Sequence, residues 1–255
     1  GHIEDNKVLC EDCIGGSDVF LTADQNYGFA IANNIGISYA TEIGSKYIML
    51  LNNDTVVHES SISYMFDYIE NSDASVVIPQ IRLFSDPEII WNCGGELTWY
   101  GSKRYNFARH NFKTLDDEAS IQVSFFTGCA VLFKSEVFDD VGLLTEDYFF
   151  GTEDLNYSQR LAVKHIKVFC LHKAVIYHKV GQTIRKENIA FAILNHYLGH
   201  YINQKKRSTF FIWLLWVLFY NLYIFLMLLF RYRISIFKVA ELIFFLTKYS
   251  IVWND

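Results

Sequence analysis

The sequence predicts an α/β fold: a mixed sheet flanked by helices, followed by hydrophobic and amphipathic helices that meet a membrane. Three observations predict it. Residues 18–51 read strand, helix, strand, the pattern of a βαβ unit. The second of those strands stops abruptly in Asn52-Asn53-Asp54-Thr55, and polar side chains at the C-terminal end of a buried strand occupy the usual ligand position of an open α/β sheet. Residues 208–230 then run for 23 positions without a charge.

Taken in order, Asp-Val-Phe-Leu-Thr at 18–22 reads as a short buried strand. Apolar residues at Ile31, Ala32, Ile35, Tyr39, Ala40 and Ile43 give helical periodicity over 29–43, with Gly44 as the stop. The strand at 46–51 follows. Residues 58–71 form an amphipathic helix with Ile62, Met65, Phe66 and Ile69 on one face. The next strand is 74–83, where Pro79 predicts an edge or a bulge. Residues 84–120, rich in Gly, Asn, Asp and aromatics, read as loops with short hairpins. An apolar strand over 124–133 is interrupted at Thr127-Gly128. A short helix at 135–141, a turn at Gly142, a helix at 155–165 and strands at 166–170 and 174–177 complete this part. We place a domain boundary between 185 and 186.

Beyond it, residues 187–204 are helical and end in Lys205-Lys206-Arg207. As a helix the apolar run 208–230 extends about 34 Å, enough for a hydrocarbon core of about 30 Å. Residues 234–253 carry Lys238, Glu241 and Lys248 among apolar residues and read as an interfacial helix. Basic residues flank the run on both sides, so its orientation stays open, as does the choice between a span and an in-plane element.

Composition narrows the function. Hydrophobic residues make up 51% and aromatics 17% of the 255 residues, which points to a membrane-facing part. A net charge of −6 without a basic block argues against nucleic acid as the main partner. Five scattered cysteines suit a reducing compartment. Cys10-Glu-Asp-Cys13 lacks a second ligand pair for zinc and reads as incidental. The first residues show no basic region followed by an apolar core, so no signal peptide is expected. The start at Gly1-His2, without Met, reads as a cloning remnant or an internal cut.

Three polar clusters lie far apart in sequence: Asn52-Asn53-Asp54, Glu153-Asp154 and His178. Together they could supply a divalent-cation site and a carboxylate base. Each also has a plain reading. An Asn/Asp group after a strand is a turn, a Glu-Asp pair before a helix is a cap, and a His at a strand end is a surface group.

Their order, with the segments around them, resembles the inverting family 2 glycosyltransferases of GT-A fold, closest to the rhamnosyltransferase-like branch. The matching segments are Asn26-x-Gly-Phe-Ala-x-Ala-Asn-Asn-x-Gly36, Leu50-Leu-Asn-Asn-Asp-Thr55, Phe126-Thr-Gly-Cys-Ala-Val-Leu-Phe133, Phe149-Phe-Gly-Thr-Glu-Asp154 and Tyr177-His-Lys-Val-Gly-Gln-Thr183. They cover roughly residues 15–200. The resemblance implies a GT-A (Rossmann-like) catalytic domain over 1–185 and a membrane-associated region over 186–255.

It also implies roles. Asn52-Asn53-Asp54 stands at the family's D-x-D motif, so Asp54 is expected to hold Mg2+ or Mn2+, with His178 completing the metal shell. Asn in place of the first Asp shifts Asn52 toward a ribose or outer-shell contact. Asp154 matches the catalytic base, with Glu153 supporting the acceptor side. Asn26, Gly28 and Asn33 are expected at the nucleotide pocket, Asn53 beside the donor, and Thr127 and Gly128 between donor sugar and acceptor. The implied substrates are a dTDP- or UDP-sugar, with rhamnose the suggested sugar, and a glycan or lipid-linked acceptor in bacterial surface polysaccharide synthesis. The implied place is the cytoplasmic face of the inner (plasma) membrane, reached through residues 208–253.

The family's opening strand and V-D-N-x-S-like loop have no counterpart here, so weak or absent activity is expected of this chain alone. An alternative follows: an inactive GT-A remnant that persists as a membrane-attached binding or scaffold module.

Overall fold

In the computed structural model, which describes residues 9–13, 18–115, 120–148, 151–180, 189–231 and 233–252, the chain opens with a hairpin. Strand β1 (Leu9–Cys13) pairs antiparallel with β2 (Asp18–Thr22), and the two make a sheet of their own. The strand expected at 18–22 exists, but the βαβ unit does not form. A short connection makes antiparallel pairing with β1 the local option, whereas joining the strand at 47–51 requires a whole helical crossover. Helix α1 (Phe29–Glu42) follows, and Gly44, at φ 77°, ends it as expected, with its N–H on the Thr41 carbonyl and that of Ser45 on Ala40.

Among the described residues the central sheet has seven strands. Its order is β3 (Tyr47–Leu51), β10 (Ala130–Lys134), β5 (Val76–Leu83), β11 (Val168–His178), β4 (Thr55–Val57), with β6 (Ile90–Asn92) on β5 and β9 (Ser120–Val123) on β11. Only β5 and β11 run parallel; the other pairs are antiparallel. Pro79 lies in the interior strand β5, not at an edge. It faces Leu171, where β11 bulges before resuming at Val175. That bulge accommodates a residue with no N–H to give the ladder. The two strands expected at 166–170 and 174–177 are thus one strand broken only in register.

Helix α2 (Ser61–Asn71) buries Ser61, Met65 and Ile69, while Ile62 and Phe66 face outward. The buried stripe is rotated from the expected one because Ser61 is fastened inward: its hydroxyl donates to the Val175 carbonyl and accepts from the Val175 N–H. The expected strand at 124–133 is two strands, β9 and β10, with 124–129 between them. Strands β7 (Gly95–Leu97) and β8 (Lys103–Tyr105) form a separate hairpin. Helices α3 (Glu136–Val141) and α4 (Glu153–Val163) cover one face of the sheet with α1. There Phe126, Phe133, Phe138 and Tyr157 meet ring to ring in the main core. Burying each such ring is worth roughly 1.5–3 kcal/mol. Helix α2 covers the other face.

The tail is three helices, α5 (Ile189–Arg207), α6 (Phe210–Leu226) and α7 (Ile236–Val252), with a wide turn over Met227–Arg231. They share a core of Tyr197, Tyr201, Trp213, Val217, Ile224 and Leu246. The boundary expected between 185 and 186 lies outside the described residues, as do the motif residues Phe149, Phe150 and 181–183.

Candidate active site

The register of a three-residue strand builds one side of the site. β4 pairs with β11 so that Thr55 lies opposite His178, and the Lys179 N–H bonds the Asp54 carbonyl at 2.9 Å. Asp54 and His178 are thereby brought face to face, Oδ1 to Nε2 at 3.1 Å, with their side chains 16% and 10% exposed. Trp91 packs edge-on against the imidazole at 4.5 Å. The Nδ1 atom of His178 is buried and takes no hydrogen bond among the described residues. Burial, with the Asp54 charge added, pushes the neighbouring Cys129 thiol up to about 12.

A cation fits this pair. Carboxylate and imidazole suit Mn2+, and two cis ligands of an octahedral ion with bonds of about 2.1 Å lie about 3.0 Å apart. Among the described residues no third His, Cys, Asp or Glu joins them. Such an ion would take its other ligands from a substrate or water.

The second side is the N-terminus of α4. Glu153 is buried and turns back on its own loop, accepting from the N–H groups of Gly151 at 2.6 Å and Thr152 at 2.8 Å. Burial first, and the Asp154 charge second, raise its carboxyl above the usual range. Both described side-chain hydrogen bonds of Asp154 land on Oδ1, from the Leu155 N–H at 2.7 Å and from Lys103 Nζ at 3.4 Å. No described hydrogen bond falls on Oδ2. Lys103 and Asp154 are each only 14% exposed, and Lys103 Nζ also lies 4.2 Å from the Phe125 ring centre. Burial alone would lower the Lys103 ammonium, but the charge of Asp154 leads the effects that hold it raised. Lys103 was not legible in the sequence, because nothing in Gly101-Ser-Lys-Arg-Tyr105 marks it as the partner of a carboxylate 51 residues away.

Residues 126–129 connect the two sides. The Asn52 N–H bonds the Cys129 carbonyl at 2.9 Å. At the other end, Phe126 N–H donates to Ser158 Oγ at 3.3 Å, and Ser158 donates to the Asp154 carbonyl at 2.7 Å. Four residues span at most about 14 Å, so the polar end of β3 and the head of α4 border one short segment. Thr127 and Gly128 lie in it, half-buried. A Cβ on Gly128 would come within 2.8 Å of the Phe29 ring, so α1 packs at this point only against glycine.

The expected nucleotide-side residues lie around α1 and are occupied locally. Asn26 is exposed and its Oδ1 accepts from the Gly28 N–H at 2.9 Å, shaping a turn in which Gly28 takes φ 89°. Asn33 donates to the Phe29 carbonyl one turn back, at 2.8 Å. Asn53 is exposed and Asn52 half-buried. Sequence reasoning missed Asn34, which is 1% exposed and clamps the approach to α4. It donates to the Leu144 carbonyl and Glu146 Oε1, both at 2.8 Å, and accepts from the Leu144 N–H.

Residues 19–142 match the family model described as "Glycosyl transferase family 2". Two curated proteins are similar in sequence. One is a low-salt glycan biosynthesis hexosyltransferase, Agl10, of Haloferax volcanii, 21% identical over 58% of this chain and 48% of its own length. The other is a dTDP-rhamnosyl transferase, RfbF, of Shigella flexneri, 23% identical over 62% of this chain and 50% of its own. The chain thus spans about half the length of the curated relatives it matches. Among solved structures, a crystal structure of GalNAc-T7 with UDP, GalNAc and Mn2+ gives a TM-score of 0.48 at 17% identity, over 61% of this chain and 31% of that one. The Pyrobaculum calidifontis mannosyltransferase PcManGT with GDP-Man and Mn2+ gives 0.46 at 12%, over 73% and 46%. Over residues 19–142, just under half of its length, the chain is thus similar to glycosyl transferase family 2.

Proposed function

We propose that the chain transfers a sugar, with inversion, from a nucleotide-diphosphate donor to a hydroxyl of a glycan or lipid-linked acceptor in surface polysaccharide synthesis. The observation that carries this reading is the pairing of two sites across residues 126–129: Asp54 with His178 on one side, Asp154 with Lys103 on the other. The names of the two curated relatives support hexosyl or rhamnosyl transfer, one of them naming dTDP and rhamnose, which makes rhamnose the leading sugar; UDP is the other carrier this reading allows. Residues 1–185 form the catalytic unit in this reading, and 186–255 attach it to the cytoplasmic face of the membrane.

The chain's own residues divide the work. Asp154 Oδ2 takes the proton of the acceptor hydroxyl as its oxygen attacks the anomeric carbon. The bond from that carbon to the diphosphate breaks, and the electron pair leaves with the nucleoside diphosphate. A single displacement inverts the anomeric centre. Lys103 holds the carboxylate in place through Oδ1, and Glu153 fixes the loop that presents it. Asp54 and His178 would hold Mg2+ or Mn2+, which when bound neutralises the diphosphate charge. Asn52 and Asn53 face the donor at the end of β3, Asn26, Gly28 and Asn33 frame its nucleoside, and Thr127 and Gly128 separate donor from acceptor.

The direct test is calorimetric titration of dTDP-rhamnose and UDP-sugars with Mn2+, followed by mass analysis of products on a lipid-linked glycan acceptor. This reading requires saturable, metal-dependent binding and a transferred sugar, against the weak or absent activity expected from the sequence. No binding of any nucleotide sugar by the folded chain would overturn the reading in favour of a scaffold module.

A further inference from the structure

Helix α6 and its continuation, Phe210–Phe230, form the one helix among the described residues that is long and apolar enough to cross a membrane. Only 22% of its most apolar window is buried, so it is not the core helix of a soluble domain. Yet it does not stand free. Trp213 Nε1 donates to the Tyr201 carbonyl at 3.3 Å, the Tyr201 hydroxyl bonds Asn221, and the Tyr197 hydroxyl reaches Met227 Sδ at 3.8 Å. The α6 residues in these contacts, 213 to 227, cover about 21 Å of that helix, and all of them are tied to the turn of α5 from Tyr197 to Tyr201.

Helix α5 is in turn fastened to the site. Asn203, 1% exposed, accepts from Asn156 Nδ2 at 2.9 Å and donates to Gln159 Oε1 at 3.0 Å, and Lys206 pairs with Asp147 at 2.8 Å. If α6 crossed a bilayer lengthwise, α5 and the charged domain bound to it would enter the hydrocarbon, where ionised groups are costly. An in-plane helix avoids this.

The outward face suits that placement. Apolar residues of α6 are exposed over a broad face, with Phe211, Leu215, Leu218 and Leu222 at its centre and Phe210 and Phe219 on its flanks, and Phe237 and Phe244 on α7 are exposed seven residues apart. Charge matches an anionic surface: residues 205–255 hold seven Lys/Arg against two Asp/Glu, while residues 1–204 hold 15 against 26. A second apolar point lies beside the tail. Trp99, 96% exposed, and Tyr100 form the tip of the β7–β8 turn. The same turn meets the end of α5, since a Cβ on Gly101 would come within 2.6 Å of Gln204 Oε1. Tryptophan and tyrosine favour the bilayer interface. Lys103, the partner of Asp154, is four residues from Trp99, a reach of at most about 14 Å.

We propose that α6 and α7 lie in the plane of an anionic bilayer surface, that Trp99 and Tyr100 insert beside them, and that Asp154 takes its acceptor hydroxyl from a molecule anchored in that surface. The acceptor clause rests on the glycosyl-transfer reading; the seating does not.

The test uses the full chain with sealed vesicles of phosphatidylcholine, with and without phosphatidylglycerol. The chain is expected to float with the anionic vesicles and less with the neutral ones. Trp99→Ala should reduce that partition severalfold at unchanged Tm. Thr209→Cys and Ser235→Cys, placed at the two ends of α6 with Cys10 and Cys13 replaced by Ser, should both react with a membrane-impermeant maleimide added outside. Protection of one end only would show a span and overturn the proposal. So would full partition of Trp99→Ala, or self-association of the chain without vesicle binding. None of these readouts depends on sugar transfer, so their failure leaves the catalytic reading standing.

Discussion

Asp54 and His178 lie 124 residues apart in sequence and 3.1 Å apart in space, held there by the pairing of Thr55 with His178. The pair is nearly buried, so a carboxylate and an imidazole face each other with little water between them. Asp54→Ala removes the charged member and is expected to weaken Mn2+-dependent nucleotide binding at least about tenfold, or 1.4 kcal/mol. Calorimetry with dTDP, with and without Mn2+, checks it. Affinity that does not depend on the metal in the parent chain would contradict the assignment.

The Lys103–Asp154 pair makes a different prediction, because the proposed mechanism gives it the acceptor side alone. Asp154→Asn keeps shape and hydrogen bonding but removes the base. Turnover should fall on the order of 10²–10⁴-fold, with donor affinity unchanged. Lys103→Gln leaves the mostly buried carboxylate without its cation and should lower kcat more than it alters KM for the donor. Single-turnover assays beside donor titrations separate these outcomes. Normal turnover in Asp154→Asn would remove that residue from its role.

Gly199 joins the tail to the loop that leads into α4. A Cβ there would sit 2.2 Å from Thr152 Oγ1 and 2.8 Å from its Cβ, and Thr152 is buried immediately before Glu153. Gly199→Ala must push α5 off the loop, a cost of about 1–3 kcal/mol for a crowded core. Thermal melting should report a drop of several degrees, and adding Thr152→Gly should recover much of it. An unchanged Tm in Gly199→Ala would mean that the two elements are not packed as described.

The sequence announced the parts of this site better than their meeting. Periodicity placed α1, and the abrupt end of an apolar run placed Asp54, since both signals are local. The partners of those residues depend on register and are not written locally. The strand β4 is three residues long, too short for any alternation to show, yet its pairing sets Asp54 against His178. Lys103 lies in an irregular hairpin whose position against α4 only the folded sheet defines. The strand at 18–22 shows the converse: its local pattern was legible, while its neighbour was not. Asn34 reads as one more polar residue on a helix, and only burial reveals it as a clamp.

His200 gives a prediction with a definite sign. It is half-buried on α5 within 4.8 Å of the His196 ring, and burial, then the charges of His196 and Lys103, lower it from 6.5 to about 3. The folded chain therefore holds this ring neutral, whereas the unfolded chain protonates it near 6.5. Between those values the unfolded state binds more protons, so stability falls as the pH drops, and the contribution is whole above about 6.5. His200→Gln forfeits the ring's contact with Tyr220, 6.1 Å away, and should melt lower at every pH. Its Tm should nevertheless lose less than the parent's when the buffer moves from about pH 7.5 to about pH 5, because one proton-linked penalty is gone. Parallel melting curves across that interval, in buffers of equal ionic strength, decide the matter. Equal slopes would show that His200 takes up its proton as readily in the folded chain as in the unfolded one.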